Sequence, residues 1–172
     1  LATLGLGLVL GPEAPLIAIL APPTAIASSR RGSMAKNRGG ILMKSFGGKL
    51  AVVTGGGSGM GRELVIALAS EGCHVALCDV NEESMAQTRS LARAAAKTDL
   101  RVTTHTVDIS EERQVIAFRA AVAEQHQAKH IDLLFNNAGI GGGGSFVLDE
   151  REEWDKTFAV CWGGVYYCTR AF

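Results

Sequence analysis

Between Lys49 and Phe172, short apolar runs alternate with longer segments in which apolar residues recur every three to four positions. The short runs are rich in β-branched residues and predict four β-strands, at residues 50–54, 73–80, 101–109 and 130–139. The longer segments predict helices. The first helix closes at Gly72, the second begins with Asn81 as its N-cap, and the third begins with Ser110 as its N-cap.

A further helical pattern follows the fourth strand. Apolar residues recur there at helical spacing, and neither Gly, Asn nor Pro closes the pattern before Phe172. Tyr166 is interpreted as a packing residue of this helix. The apolar residues are Trp154, Phe158, Trp162, Val165 and Tyr166.

This alternation of strands and helices predicts an α/β fold of the Rossmann type. Strands joined by helices run parallel with right-handed crossovers, which gives a doubly wound sheet in a three-layer α/β/α arrangement. We expect the order 3-2-1-4, with the fourth strand as an open edge. Ligands of such sheets bind at the carboxyl ends of the strands, and here these ends lie just after Thr54, Asp79, Val107 and Phe135.

A glycine-rich segment, TGGGSGMG at residues 54–61, lies between the first strand and the first helix. Glycines allow the backbone to turn tightly and approach a pyrophosphate, and the N–H groups at a helix start stabilise its charge. A flexible turn would also be rich in glycine. The position between a strand and a helix favours phosphate binding.

Asp79 ends the second strand, 18 residues beyond Gly61. An acid at this place can accept hydrogen bonds from both ribose hydroxyls of an adenosine and repels a 2′-phosphate. Neither Val80 nor Asn81 is basic, and no basic residue interrupts the glycine loop before Arg62. These features favour NAD over NADP. The alternative is a solvent-facing acid that caps the next helix.

Two more motifs follow the third and fourth strands: VDIS, which contains Asp108, and NNAG at residues 136–139. With the glycine loop and Asp79, they stand in the order and at the spacing of the short-chain dehydrogenase/reductases, which residues 49–172 resemble. The resemblance implies a nicotinamide cofactor. Its phosphates would lie along Thr54, Gly55, Ser58, Gly59, Met60 and Gly61; its adenosine ribose at Asp79; its adenine at Asp108 and Ile109; and its nicotinamide half along Asn137, Ala138 and Gly139.

The resemblance also implies an activity, hydride transfer between nicotinamide and an alcohol or carbonyl substrate. A Ser and a Tyr-x-x-x-Lys motif after a fifth strand would carry it, and we expect the chain to end before them, so that it is C-terminally incomplete and inactive alone. Tyr166 and Arg170 stand four apart but belong to the preceding helix. Cys161 replaces the Asn that the family has in this helix. Residues 141–144 form either a loop that bounds the substrate side or a mere linker.

Composition narrows the function classes. The 172 residues carry 17 basic and 17 acidic side chains, a balance that gives no reason to expect nucleic acid or a membrane as partner. The spacing of the four cysteines matches no metal or redox motif and indicates reduced thiols of a cytoplasmic protein. His126 and His130 stand four apart at a predicted helix end, and we expect no metal there. A small-molecule substrate and a homo-oligomer are expected for the complete enzyme.

Residues 1–42 differ in composition from the rest, with many Leu, Ala, Gly and Pro and one acid, Glu13. We expect an extraneous or leader segment, disordered, ahead of an NAD(P)-binding domain at residues 43–172, with Met34 or Met43 as the true start. Residues 11–15 resemble the Gly-x-Glu-x-Pro segment of chloride-channel-type membrane proteins. We expect no transport, because one broken segment cannot build a pore.

A rival hypothesis makes the chain a non-catalytic nucleotide-binding or interaction module, a fragment or pseudoenzyme that pairs through its last helix. Cofactor binding would separate the two hypotheses, since the rival does not require it.

Overall fold

A computed structural model describes residues 18–19, 45–142, 144–145, 147–148 and 150–172. These residues form a sheet with helices on both faces. The strands are β1 (Ala18–Ile19), β2 (Leu50–Thr54), β3 (His74–Asp79), β4 (Val102–Thr106) and β5 (Leu133–Asn136). The helices are α1 (Gly59–Ser70), α2 (Glu82–Ala95), α3 (Glu112–His126), α4 (Arg151–Phe158) and α5 (Gly164–Ala171), with a π-helical turn (Ala159–Gly163) that joins the last two.

The sheet has the strand order β1-β5-β2-β3-β4. Strands β2 to β5 are parallel, which confirms the predicted order of the four main strands. The prediction of an open edge at the fourth strand is wrong for the described residues, because β1 pairs antiparallel with β5, Ala18 opposite Asn136 and Ile19 opposite Phe135. The other residues of the 1–42 segment, including the channel-like residues 11–15, lie outside the described part of the chain.

Successive side chains of a strand point to opposite faces of the sheet, and here they form two hydrophobic cores, one on each face. Ala51 and Val53 of β2 face α1 and α2, and they pack in one cluster with Val65 and Met85. The intervening Leu50 and Val52 belong to the other cluster, which includes helices α3 and α5. Because both faces are covered, the strands read as continuous apolar runs.

The starts of α2 and α3 show how local side chains decide where a helix begins. Asn81 is the N-cap of α2, as predicted, and its side-chain oxygen accepts a 2.9 Å hydrogen bond from Ser84 N. The predicted cap of α3 is wrong, because Glu111 is its N-cap. Ser110 instead donates from N and Oγ to Asp108 Oδ1, at 2.9 and 2.6 Å. The carboxylate two residues earlier therefore takes up the serine that would otherwise cap the helix.

The last helix buries a different face from the one its apolar pattern suggests. Gly164 and Cys168 are buried, whereas Phe158, Trp162 and Tyr166 are 57%, 74% and 50% exposed. The interpretation of Tyr166 as a packing residue is therefore wrong. A side chain at position 164 would overlap Ile109, so the absence of one allows this face of the helix to approach the core.

Burial keeps the structural cysteines protonated. It raises the pKa of Cys73 to about 11 and that of Cys168 to about 12, and it raises the pKa of Cys78 well above its ordinary value. All four cysteines are free thiols. Over the residues that the structure describes, no three His, Cys, Asp or Glu side chains are placed to hold a metal ion, and no helix combines the length and apolar character needed to cross a membrane.

Two histidines share one threonine at the end of the sheet opposite the strand carboxyl ends. Thr103 Oγ1 lies 2.9 Å from His105 Nε2 and 2.9 Å from His126 Nε2. A hydroxyl has a single proton, so one ring accepts it and the other donates its own N–H. Burial lowers the pKa of both rings to about 4, with help at His126 from the positive charge of Arg101. Both rings are therefore neutral at pH 7.

We predict that the fold loses stability as the pH falls from 6.5 toward 4. In this window the unfolded histidines take up protons that the folded ones do not, so protonation favours the unfolded chain. Between pH 7 and pH 5 the loss is about 2 kcal/mol of unfolding free energy per histidine. Urea denaturation at the two pH values measures it.

The variant His105→Gln lacks one of the two titrating rings, and we expect it to lose roughly half as much between the two pH values. His130→Gln serves as the control, because His130 is exposed. Equal losses in the wild type and His105→Gln would show that His105 does not contribute.

Candidate functional site

A cleft of about 530 Å³ opens at the carboxyl ends of the parallel strands. Ten of the twelve residues predicted from the sequence line it, and Thr54 and Gly59 are the exceptions. The predicted residues in the lining are Gly55, Ser58, Met60, Gly61, Asp79, Asp108, Ile109, Asn137, Ala138 and Gly139.

The glycine loop is shaped by close backbone contacts. Gly55 has a φ of +65°, and a Cβ there would lie 2.7 Å from the Cα of Ala138. At Gly61 a Cβ would overlap the carbonyl oxygen of Gly55 and meet Asn137 Nδ2 at 2.5 Å. The loop can therefore lie against α1 and β5 only with glycine at both positions.

Thr54 does not line the cleft but holds two of its walls together. Its buried Oγ1 accepts hydrogen bonds of 3.0 Å from the N–H groups of Asn137 and Ala138. In the other direction, Asn137 Nδ2 donates to the carbonyl oxygens of Thr54 and Gly55, at 3.0 and 3.1 Å. The ends of β2 and β5 are thus fastened to each other by side chains where the strand pairing stops.

The start of α1 is directed at the cleft. Ser58 is its N-cap and makes no side-chain cap bond, and no acidic residue lies in the first turn. By contrast, α2 begins with Glu82 and Glu83. The first N–H groups of a helix have no partner within the helix and carry partial positive charge. This end of α1 suits a bound anion such as a phosphate group.

Asp79 at the end of β3 is fixed by two backbone groups. Its Oδ2 accepts a 3.0 Å bond from Gly57 N, and its Oδ1 accepts a 3.2 Å bond from Asn81 N. An ionised carboxylate has about four acceptor positions, so each oxygen keeps capacity for a ligand hydroxyl. The alternative of Asp79 as the cap of the next helix does not hold, because Asn81 is the N-cap.

Asp108 and Ile109 follow the carboxyl end of β4 and line the cleft there. Asp108 N donates to Gln114 Oε1 at 2.9 Å, and the carboxylate holds Ser110. Ile109 is buried under the last helix, where it faces Gly164. The local turn therefore presents a polar residue and an apolar residue to the same side of the cleft.

Six residues of the lining were not predicted from the sequence: Cys78, Val80, Val107, Ile140, Lys156 and Val160. Four of them, Cys78, Val80, Val107 and Ile140, are sequence neighbours of predicted residues at strand ends. This adjacency could have predicted them. Lys156 and Val160 come from the last helix, and no local motif marks them. Their place in the cleft depends on how that helix docks against the sheet.

The residues around Cys161 occupy the π-helical turn of the last helix. π-Helical turns within α-helices are frequently found at functional sites. Cys161 Sγ lies 3.5 Å from the carbonyl oxygen of Ile140, which lines the cleft. Tyr166 is engaged elsewhere, because its Oη accepts a 2.9 Å bond from Arg170 Nη1 and its side chain is exposed.

The cleft contains features that fit a dinucleotide. The close glycine contacts leave room where side chains would otherwise project, and the α1 start offers N–H donors. Asn137 is buried, and its Oδ1 has no hydrogen-bond partner among the described residues. A buried acceptor without a partner at a cleft wall is suited to a ligand donor or an ordered water.

Known proteins with similar sequences share this part of the chain. A family model described as short chain dehydrogenase matches residues 49–172. The probable oxidoreductase EphD of Mycobacterium tuberculosis (strain ATCC 25618 / H37Rv) is 38% identical over 127 residues, which are 74% of this chain and 21% of that protein. The channel-like residues 11–15 lie outside the family match, and nothing supports that resemblance.

Solved structures agree in fold. A short chain dehydrogenase/reductase from Burkholderia phymatum in complex with NAD is 38% identical with a TM-score of 0.68, over 76% of this chain and 44% of that one. A metagenomic short-chain oxidoreductase in complex with NADP is 31% identical with a TM-score of 0.66, over 74% of this chain and 56% of that one. The chain thus spans between 21% and 56% of the length of these proteins.

Proposed function

This chain belongs to the short chain dehydrogenase family, and from that membership we propose that residues 43–172 bind the cofactor of a nicotinamide-dependent oxidoreductase. The observation that carries the proposal is the cleft, which brings ten predicted residues from four separate segments to one end of the sheet. Open α/β sheets bind their ligands at that end.

Each part of the cleft has a counterpart in the cofactor. The loop at Gly55 and Ser58 and the start of α1 would hold the pyrophosphate. Asp79 would accept hydrogen bonds from the adenosine ribose, and Asp108 with Ile109 would contact the adenine. The segment 137–139 would lie along the nicotinamide half, and Gly141 and Gly142 would bound the substrate side.

We infer a preference for NAD over NADP from the charge at the ribose position. The carboxylate of Asp79 would repel a 2′-phosphate. Arg62, the first cation after the glycine loop, does not line the cleft and bonds the carbonyl oxygen of Gly57. Related structures hold either cofactor, so the preference rests on Asp79.

The reaction proposed for the whole protein is hydride transfer with an alcohol or carbonyl substrate. The bound cofactor would accept the hydride of an alcohol in its oxidised form, or give a hydride to a carbonyl in its reduced form. The described residues of this chain bind and orient it, but no Tyr and Lys of this part of the chain stand together in the cleft to move a proton. Cys161 stands where the family has an Asn, and a thiol is only a weak donor and a weak acceptor. Either this branch of the family moves the proton by another relay, or the segment is altered. We also propose a cytoplasmic location for the protein.

The rival proposal is an interaction module, and the exposed side of the last helix favours it. Phe158, Trp162 and Tyr166 form an apolar stripe there that the described residues leave exposed. In our view this stripe is compatible with an oxidoreductase, because a homo-oligomer would bury it.

Asp79→Ala tests the cofactor proposal. We expect the 172-residue chain to bind NAD more tightly than NADP in calorimetry, and the variant to bind NAD roughly tenfold to a hundredfold less tightly, since hydrogen bonds to a charged group contribute about 1.5–3 kcal/mol. Asp99→Ala, a change remote from the cleft lining, is the control. Absence of binding by the wild type would favour the rival.

Turnover tests the division between binding and catalysis. We predict that the pure 172-residue chain does not oxidise secondary alcohols with NAD, because its described residues place no proton-transfer pair in the cleft. Absorbance of NADH at saturating cofactor measures this. Detectable oxidation would refute this part of the proposal.

The oligomer proposal is tested on the apolar stripe. We expect the wild type to sediment as a dimer or larger, and Trp162→Asp to sediment as a monomer, because a buried charge at an interface is strongly unfavourable. Val147→Asp, an exposed apolar residue outside the last helix, is the control. A monomeric wild type would contradict the proposal.

A further inference from the structure

Both backbone polar groups of Gly57, its N–H and its carbonyl oxygen, form hydrogen bonds. Its N–H donates to Asp79 Oδ2 at 3.0 Å. Its carbonyl oxygen accepts from Arg62 Nη2 at 2.6 Å and from Arg62 Nε at 3.1 Å, and it lies 3.1 Å from Thr88 Oγ1. Few loop peptides carry this many partners, and three of these four bonds involve a charged group, which makes them stronger than neutral ones.

The Arg62 side chain is itself fixed by helix α2. Nε also lies 3.0 Å from Thr88 Oγ1, and Nη2 lies 3.4 Å from the carbonyl oxygen of Ser84. Thr88 is fully buried. Among the described residues no carboxylate forms an ion pair with Arg62, so its charge is directed at carbonyl oxygens. The guanidinium thus joins α1, α2 and the glycine loop.

This arrangement limits how the Gly57 peptide can turn. Arg62 and Thr88 hold the carbonyl oxygen of Gly57, and Asp79 accepts a hydrogen bond from the N–H of the same residue. Loss of the contacts at the carbonyl oxygen would therefore release the residue whose N–H meets the carboxylate. Close packing adds to the limit, since a Cβ at Gly57 would overlap Ser84 Oγ and lie 2.8 Å from Asp79 Oδ2. The position of Gly57 N, one of the two backbone groups that hold the Asp79 carboxylate, therefore depends on the Arg62 side chain.

We propose that Arg62, together with Thr88, is a positioning residue that fixes the direction in which Asp79 presents its carboxylate, and thereby sets the discrimination between NAD and NADP. Arg62 does not line the cleft, so it acts through Gly57 and Asp79 and not by contact with the cofactor. The inference rests on the proposed cofactor function of the cleft.

A double-mutant cycle on the 172-residue chain tests this. Calorimetry with NAD and with NADP gives the affinity ratio for the wild type, Arg62→Ala, Asp79→Ala and the double variant. We expect Arg62→Ala to weaken NAD binding roughly tenfold and NADP binding much less, which lowers the ratio. With Asp79 replaced, the Arg62 change should leave the ratio unaltered, because coupled residues are not additive.

Conservative variants separate positioning from folding. Arg62→Lys keeps the charge but lacks the two-pronged guanidinium, so we expect an intermediate ratio. Thr88→Ser keeps the hydroxyl and should retain the wild-type ratio, whereas Thr88→Val should lower it. Arg93→Ala removes an exposed guanidinium from α2, the helix that contains Thr88, and should leave the NAD to NADP affinity ratio unchanged. The unfolding midpoint of each variant reports its fold.

The outcomes are distinct. A wild type that binds neither cofactor overturns the proposed function and this inference with it. A wild type that prefers NAD, with an Arg62→Ala variant that weakens both cofactors equally, overturns this inference alone. The same holds if Arg62→Ala still changes the ratio in the Asp79→Ala background. Should Arg62→Ala fail to fold, an unchanged ratio in Thr88→Val overturns the inference.

Discussion

The hydrogen bonds between Thr54 and the segment 137–138 hold the carboxyl ends of β2 and β5 together, and the cleft depends on them. Strand pairing ends just before this point, with Val53 opposite Phe135. A buried hydroxyl and a buried amide continue the connection with hydrogen bonds of 3.0 to 3.1 Å. The glycine loop can then rest on Ala138, so the phosphate side and the nicotinamide side of the cleft form one surface.

Local patterns predicted the parts of this protein that local forces determine. The apolar runs of the four main strands, the Asn81 cap and the glycine loop are encoded within a few residues, and the structure contains each of them. The Ser110 cap was wrong because Asp108 competes for the same serine. Such competition is also local, but the apolar periodicity that marks a helix gives no sign of it.

Predictions that depended on distant contacts were less successful. Both faces of the last helix are apolar, and only its docking on Ile109 decides that Gly164 and Cys168 are buried while Trp162 is exposed. The same docking brings Lys156 and Val160 to the cleft. Arg62 directly follows the glycine-rich segment, yet several of its partners lie on α2, more than twenty residues further along the chain. Spacing within one segment carries no information of this kind.

The short strand β1 makes two definitions of the domain disagree. The match to the family model begins at residue 49, whereas backbone pairing extends to Ala18 and Ile19. An edge strand with free N–H and C=O groups is a template on which another chain can pair. Residues 49–172 without β1 would lack the backbone partners of Phe135 and Asn136. The segment that matches the family is therefore smaller than the segment joined by the hydrogen bonds of the sheet.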